Sequence, residues 1–110
     1  MSPTDTLEID VEGFAAAVAG GAFVLDCREP GEYVAGHVPG AVLIPLGSLG
    51  ARVAELPPDG TVYVVCASGN RSLRAAQALV GAGYDAVSVA GGTSGWVASG
   101  RPVATGERTA

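Results

Sequence analysis

The chain has 110 residues and a hydrophobic fraction of 48%, which fits one domain with its own core and argues against a disordered protein. Its formal charge is −5 and its six basic residues are all Arg, so the net field argues against nucleic acid or an anionic membrane as a partner. No apolar run approaches the ~20 residues that span a bilayer, and residues 1–6 carry neither a basic side chain nor an apolar stretch. We therefore expect a cytoplasmic protein.

Short strands and short helices alternate along the sequence. Asp10 is a typical N-cap before a periodic apolar stretch, and Pro30 suits the first turn of a helix. Residues 61–65 are β-branched or aromatic throughout and predict the strongest strand. The predicted elements, in chain order, are strand 7–9, helix 11–19, strand 22–25, helix 30–35, strand 41–44, a short helix capped by Ser48, strand 61–65, helix 72–82, strand 86–89 and a last helix, capped by Thr93 or Ser94, that ends at Ala98.

This alternation predicts an α/β fold, with a central and mostly parallel sheet of about five short strands and helices on both faces. We predict a single domain over residues 1–110, with an ordered core over about 6–100 and a frayed tail over 101–110. In such sheets the active site lies beyond the carboxyl ends of the strands. Two places are favoured, after Leu25 and after Val65, and a cysteine lies at each.

The two cysteines, Cys27 and Cys66, lack the spacing of a metal site, and the chain has a single histidine. We therefore expect no metal and no cofactor. In a reducing compartment both cysteines should be free thiols.

Cys66 ends the strongest predicted strand and begins a polar, glycine-bearing loop. Backbone N–H groups in such a loop converge on one point and stabilise an anion, so the pKa of Cys66 should fall below its ordinary ~8.5. The alternative is a small buried hydrophobic residue at a strand end, but that role does not require a polar loop. We predict Cys66 as the nucleophile, with an anion-binding loop of Ala67, Ser68, Gly69, Asn70, Arg71 and Ser72.

Four segments in order resemble the motifs of the rhodanese-like family. They are residues 24–33, residues 36–41, the loop at residues 66–72 and residues 91–96, so the resemblance covers nearly the whole chain. It implies a sulfurtransferase in which Cys66 takes a sulfane sulfur from a donor, forms a persulfide and passes the sulfur to a thiophilic acceptor. Its implied partners are a small sulfur donor, such as thiosulfate or a small or protein-bound persulfide, and an acceptor such as a protein thiol.

Two other functions remain open for this loop. Cysteine phosphatases carry a Cys-x5-Arg pattern whose Arg forks onto phosphate oxygens, whereas here Arg71 gives Cys-x4-Arg and Ser72 stands at the phosphatase position. Phosphate hydrolysis or arsenate reduction is therefore the second enzymatic hypothesis. A non-catalytic rhodanese-like module for binding or redox sensing is a third, against which the intact cysteine and glycine-bearing loop count.

Ala67 departs from the family pattern, because many relatives carry an Arg beside the nucleophile. Loss of that charge should weaken the attraction for a dianionic donor such as thiosulfate, by about 1 kcal/mol at an exposed position. A small organic or protein-bound persulfide becomes the more plausible donor.

The resemblance also assigns supporting roles outside the loop. It implies that Asp26 and Arg28 brace the active-site loop through hydrogen bonds and ion pairs. Trp96 should bury its ring against the sheet, while Gly91 and Gly92 let the backbone approach the loop closely.

The remaining candidate residues have the following expected roles. Cys27 is either a small packed residue or a thiol that resolves the persulfide as a disulfide. His37 resembles a family position with a structural hydrogen bond, and Glu32 can be interpreted as part of a solvated helix start. Ser68 and Ser72 are both candidates to donate hydrogen bonds to the sulfur, and Ser72 can equally be an ordinary helix-start residue.

Overall fold

The computed structural model describes residues 7–109, which contain one sheet of five parallel strands. The strands are β1 (Glu8–Ile9), β2 (Phe23–Asp26), β3 (Val42–Leu43), β4 (Thr61–Val65) and β5 (Asp85–Val89). Their order across the sheet is β1-β5-β4-β2-β3, so the two strands that precede the cysteines are neighbours. The predicted α/β fold with a parallel sheet is confirmed.

Within the described residues, four α-helices connect the strands and a fifth follows the last strand. They are α1 (Val11–Ala19), α2 (Pro30–Ala35), α3 (Leu49–Arg52, between 3-10 turns at Leu46–Ser48 and Val53–Glu55), α4 (Asn70–Gly81) and α5 (Gly92–Ala98). As predicted, Asp10 caps α1 by accepting a hydrogen bond of 2.8 Å from the Gly13 N–H, and Pro30 begins α2. In residues 7–109 no helix has the length and apolar character needed to cross a bilayer.

Both faces of the sheet are buried, because alternate residues of the central strands enter two separate cores. Leu25 and Val64 belong to the core beneath α4 and α3, whereas Val24 and Val65 belong to the core that includes residues of α1, α2 and α5. Side chains alternate across a strand, so a strand buried on both faces is apolar throughout. This explains the continuous apolar runs in the sequence.

Two helices begin elsewhere than the sequence predicts. Helix α4 starts at Asn70 rather than Ser72, because Gly69 adopts a φ of +115° and turns the chain directly into the helix. Helix α5 starts at Gly92, after Gly91 with a φ of +87°, so neither predicted serine or threonine caps it. The Ser48 side chain makes no capping bond either.

Residues after α5 make backbone hydrogen bonds with α2 and the turn that follows it. His37 and Ala104 form an antiparallel bridge, with N–H to carbonyl oxygen distances of 2.9 and 2.8 Å. The Gly106 N–H donates to the carbonyl oxygen of Val34 at 2.9 Å. The sequence predicts a frayed tail over 101–110, but these backbone groups of the described residues find partners in α2 and the turn after it, which composition does not reveal. Residues 1–6 and 110 lie outside the described part.

Candidate active site

Cys66 directly follows β4, and its sulfur is enclosed by the first residues of the next segment. The Gly69 N–H donates to Sγ at 3.0 Å, and the Ser72 hydroxyl oxygen lies 3.3 Å from the same sulfur. The residue is only 1% exposed. The tight turn at Gly69 produces this arrangement, because it brings the start of α4 back over the sulfur.

The hydrogen bonds around Cys66 favour its thiolate. Burial by itself raises the pKa of a thiol, since it penalises the charged form. Here the Ser72 hydroxyl and the backbone N–H groups of Ser72, Gly69 and Ser68 outweigh burial and lower the pKa of Cys66 below its ordinary value. The Ser68 side chain is exposed, so Ser68 contributes through its backbone amide rather than its hydroxyl.

The base of the loop rests on the start of α5. The Thr93 N–H donates to the carbonyl oxygen of Cys66 at 2.8 Å, and the Ser94 N–H donates to that of Ala67 at 3.0 Å. Gly92 makes this approach possible, because a Cβ there would overlap the Cys66 carbonyl oxygen and lie 2.8 Å from that of Ala67. The predicted close backbone contact is present.

A second hydroxyl lies behind Ser72. Ser88 of β5 is fully buried, with its Oγ 2.7 Å from the Ser72 Oγ and 3.4 Å from the Gly69 carbonyl oxygen. The two hydroxyls form a chain that ends at the Cys66 sulfur. Sequence reasoning missed Ser88, although a polar residue in a buried strand is a signal because it requires a hydrogen-bond partner.

Arg71 is held by Glu32, a carboxylate whose place at a helix start had suggested a solvated side chain. The two terminal nitrogens of Arg71 lie 2.7 and 2.9 Å from the two carboxylate oxygens of Glu32, in a bidentate pair. The pair lowers the pKa of Glu32 to about 2 and raises that of Arg71. The positive charge that Arg71 brings to the anion-binding loop is therefore largely compensated.

The family is decided by comparison with known sequences. A rhodanese-like domain profile matches residues 10–99. The chain belongs to the rhodanese-like family. Solved structures support this membership, since the domain is similar to a rhodanese-related protein from Thermoplasma volcanium with 33% identity and a TM-score of 0.83, over 88% of this chain and 96% of that one.

Two further solved structures resemble this rhodanese-like domain. A protein from Lactobacillus plantarum is 30% identical, with a TM-score of 0.81 over 90% of this chain and 88% of that one. A thiosulfate sulfurtransferase from Pseudomonas aeruginosa is 32% identical, with a TM-score of 0.83 over 93% of this chain but only 21% of that one.

Asp26 and Arg28 of the rhodanese-like domain bind each other rather than the loop. The Arg28 guanidinium donates to the buried Asp26 carboxylate at 2.8 to 3.2 Å and to the Gly36 carbonyl oxygen at 2.8 Å. This pair ties the end of β2 to the end of α2. The prediction that Asp26 and Arg28 directly support the active-site loop is corrected accordingly. The ion pair that joins this motif segment to the loop is formed by Glu32 and Arg71 instead.

Trp96 and His37 of the rhodanese-like domain lie in structural positions. The Trp96 ring packs against Phe14, with ring centroids 5.4 Å apart, in the core on the far face of the sheet from Cys66. Its Nε1–H donates to the Pro102 carbonyl oxygen at 2.7 Å. The His37 Nδ1 lies 2.8 Å from the Tyr33 carbonyl oxygen. Trp96 therefore supports the site only by holding α5 on the sheet.

The arrangement suits nucleophilic chemistry at sulfur. Cys66 has donors for an anion within reach, and among residues 7–109 no cluster of three His, Cys, Asp or Glu side chains is placed to hold a metal. Asn70 is exposed at the first position of α4, and Ala67 presents only a methyl group beside the nucleophile.

Proposed function

We propose that this rhodanese-like domain is a sulfurtransferase that carries a sulfane sulfur as a persulfide on Cys66. The observation that carries the proposal is the environment of the Cys66 sulfur, which the Gly69 N–H and the Ser72 hydroxyl approach at 3.0 and 3.3 Å. Both groups favour the thiolate, which is the nucleophilic form of cysteine. Such a thiolate needs no separate general base.

The transfer proceeds in two displacements. The Cys66 thiolate attacks the sulfane sulfur of the donor, and the bond from that sulfur to the rest of the donor breaks. The leaving group departs with the electron pair, as sulfite from thiosulfate or as a thiolate from an organic persulfide. An acceptor thiolate then attacks the outer sulfur of the Cys66 persulfide and restores the Cys66 thiolate, so the covalent intermediate divides one transfer into two steps.

The charges around the site favour an organic or protein-bound persulfide over thiosulfate as the donor. Arg28 is paired with Asp26 and Arg71 with Glu32, and Ala67 adds no charge. The positive charges of these guanidinium groups are therefore already compensated by carboxylates, so they attract a dianionic donor only weakly. The acceptor is a thiophilic small molecule or protein thiol. A reducing compartment such as the cytoplasm suits both free cysteines.

The engagement of Arg71 also counts against phosphate chemistry. A cysteine phosphatase needs a guanidinium that forks onto the phosphate oxygens, whereas both terminal nitrogens of Arg71 are bonded to Glu32. The loop before α4 is short, and the Cys66 sulfur is almost completely enclosed. These features suit a single sulfur atom better than a phosphate group.

Donor competition with mass spectrometry tests the proposal. Wild type and Cys66→Ser are incubated with thiosulfate, glutathione persulfide or an aryl phosphate, and intact mass and turnover are measured. We expect wild type to gain one sulfur on Cys66 at early times after donor addition, faster from glutathione persulfide, and Cys66→Ser to gain none. A wild-type protein that acquires no sulfur from either donor, or hydrolysis of the aryl phosphate that depends on Cys66, would overturn the proposal.

A further inference from the structure

Cys27 occupies the position beside the nucleophile on the neighbouring strand. Strands β2 and β4 are parallel and paired in register up to Asp26 and Val65, so Cys27 and Cys66 are the next residues across. The pairing continues at least to the Cys27 N–H, which donates to the Val65 carbonyl oxygen at 3.0 Å. Neighbouring strands lie about 4.8 Å apart, which places the two Cα atoms at about that separation.

The two cysteine side chains also lie on the same face of the sheet. Both belong to the core beneath α4, together with Leu25 and Val64, which lie two residues before them on their strands. Each cysteine is 1% exposed, so no water layer separates them from that core. Disulfides join residues whose Cα atoms are about 4.4–6.8 Å apart, and neighbours on adjacent strands satisfy this requirement.

We propose that Cys27 is a resolving thiol that discharges the Cys66 persulfide as hydrosulfide when no acceptor is present. This inference rests on the proposed function, since it begins from the persulfide. Cys27 attacks the Cys66 Sγ, a Cys27–Cys66 disulfide bond forms, and the bond from the Cys66 Sγ to the outer sulfur breaks. The outer sulfur leaves with the electron pair and takes the Cys27 proton, so thiol and persulfide anion become disulfide and hydrosulfide.

The electron balance of this step determines when the protein needs a reductant. The outer sulfur is reduced to sulfide while the two cysteines are oxidised to the disulfide, so the first discharge needs no external reagent. Each further cycle needs a dithiol reductant to reopen the disulfide. The domain would therefore release sulfide once per reduction.

The environment of Cys27 makes this discharge slower than transfer to an acceptor. Burial, the neighbouring Cys66 and Asp26 raise the pKa of Cys27 to about 12, so the resting Cys27 stays protonated and does not compete for the donor. Formation of the persulfide moves the negative charge one bond outward to the outer sulfur. Cys27 then faces a less charged neighbour and can pass its proton to the departing sulfur.

Single-turnover loading without an acceptor tests the inference. Reduced wild type, Cys27→Ser and Cys27→Ala are loaded with glutathione persulfide, separated from small molecules and followed by intact mass and sulfide release. In wild type we expect about one equivalent of sulfide and a protein two hydrogens lighter, with a peptide cross-linked between the two cysteines. In both variants the persulfide should persist ~10-fold longer. Cys27→Ala is included because the serine of Cys27→Ser adds a buried hydroxyl, whereas alanine does not.

The outcomes separate this inference from the proposed function. If all three proteins load but wild type loses its sulfur no faster than the variants, or forms no intramolecular disulfide, the role of Cys27 is overturned and sulfur transfer stands. If none of the three loads, sulfur transfer itself is overturned and the resolving role with it.

Discussion

Glu32 and Arg71 are 39 residues apart in the sequence and form a bidentate ion pair in the structure, with distances of 2.7 and 2.9 Å. Glu32 also accepts a hydrogen bond from the Glu29 N–H at 3.0 Å, so one carboxylate caps α2 and holds the guanidinium at the start of α4. The pair therefore fixes the position of Arg71 and compensates its charge beside the reactive loop.

Glu32→Gln should increase the positive potential at the site. Glutamine keeps the amide oxygen for the cap of α2 but leaves the Arg71 charge uncompensated. We expect KM for thiosulfate to fall by about 3- to 5-fold relative to that for glutathione persulfide, which corresponds to ~1 kcal/mol for a partly exposed charge. The measurement is the ratio of the two KM values at low and high salt.

Glu55→Gln is the matched control for this variant. It breaks the Arg52–Glu55 pair, whose side chains are 41% and 53% exposed and lie on α3 and the 3-10 turn after it. The ratio of the KM for thiosulfate to the KM for glutathione persulfide should not change in Glu55→Gln. An unchanged ratio in Glu32→Gln would contradict the electrostatic account of donor choice.

The Glu32–Arg71 pair also predicts how stability depends on pH. Its bonds lower the pKa of Glu32 from 4.5 to about 2, so its stabilisation is fully present above pH 4.5 and is lost as pH falls through 2. Because both side chains are 35% exposed, we expect no more than about 1 kcal/mol. Urea unfolding of wild type and Glu32→Gln should differ by this amount at pH 6 and converge towards pH 2. A difference that stays constant across this range would contradict the assignment.

Ser72→Ala should raise the pKa of Cys66. The variant removes the hydroxyl that lies 3.3 Å from the sulfur and that helps to lower the pKa of Cys66 by stabilising the thiolate. We expect thiolate absorbance and alkylation by iodoacetamide to shift to higher pH, with about a tenfold slower loading at neutral pH.

Ser68→Ala is the control for the hydroxyl effect, because Ser68 acts through its backbone amide. Its titration should match that of wild type. Equal shifts in the two variants would show that a general disturbance of the loop, and not the Ser72 hydroxyl, controls the Cys66 pKa.

Gly92→Ala should displace the reactive loop. A Cβ at Gly92 would overlap the Cys66 carbonyl oxygen, and the φ of +55° is unfavourable for alanine. We expect a loss of ~2–4 kcal/mol of unfolding free energy from overpacking and strain, together with loss of sulfur loading. Thermal unfolding and the loading assay measure these effects.

Gly83→Ala separates strain from overlap. Gly83 has a φ of +95°, but a Cβ at this position would meet no other atom within 4 Å. The substitution should therefore cost only about 1–2 kcal/mol and leave loading intact. Equal losses in the two variants would contradict a specific contact between Gly92 and the loop.

Local patterns in the amino-acid sequence are enough to predict the architecture and the place of the reactive loop. Apolar and β-branched runs such as residues 61–65 specify buried strands, and local chemistry at Asp10 and Pro30 specifies where helices begin. These signals are readable because each acts within a few residues of its own position. The location of Cys66 at the carboxyl end of a parallel strand follows from the same local pattern.

The contacts between residues far apart in the sequence depend on the packing of the whole domain. The partner of Glu32 lies 39 residues away, Ser88 of β5 contacts Ser72 of α4, and Ala104 pairs with His37. Such contacts depend on strand order and helix placement, which a linear pattern does not encode. A charged or polar residue in a buried segment indicates that a hydrogen-bond partner is required. The packing of the sheet and helices determines which residue that partner is.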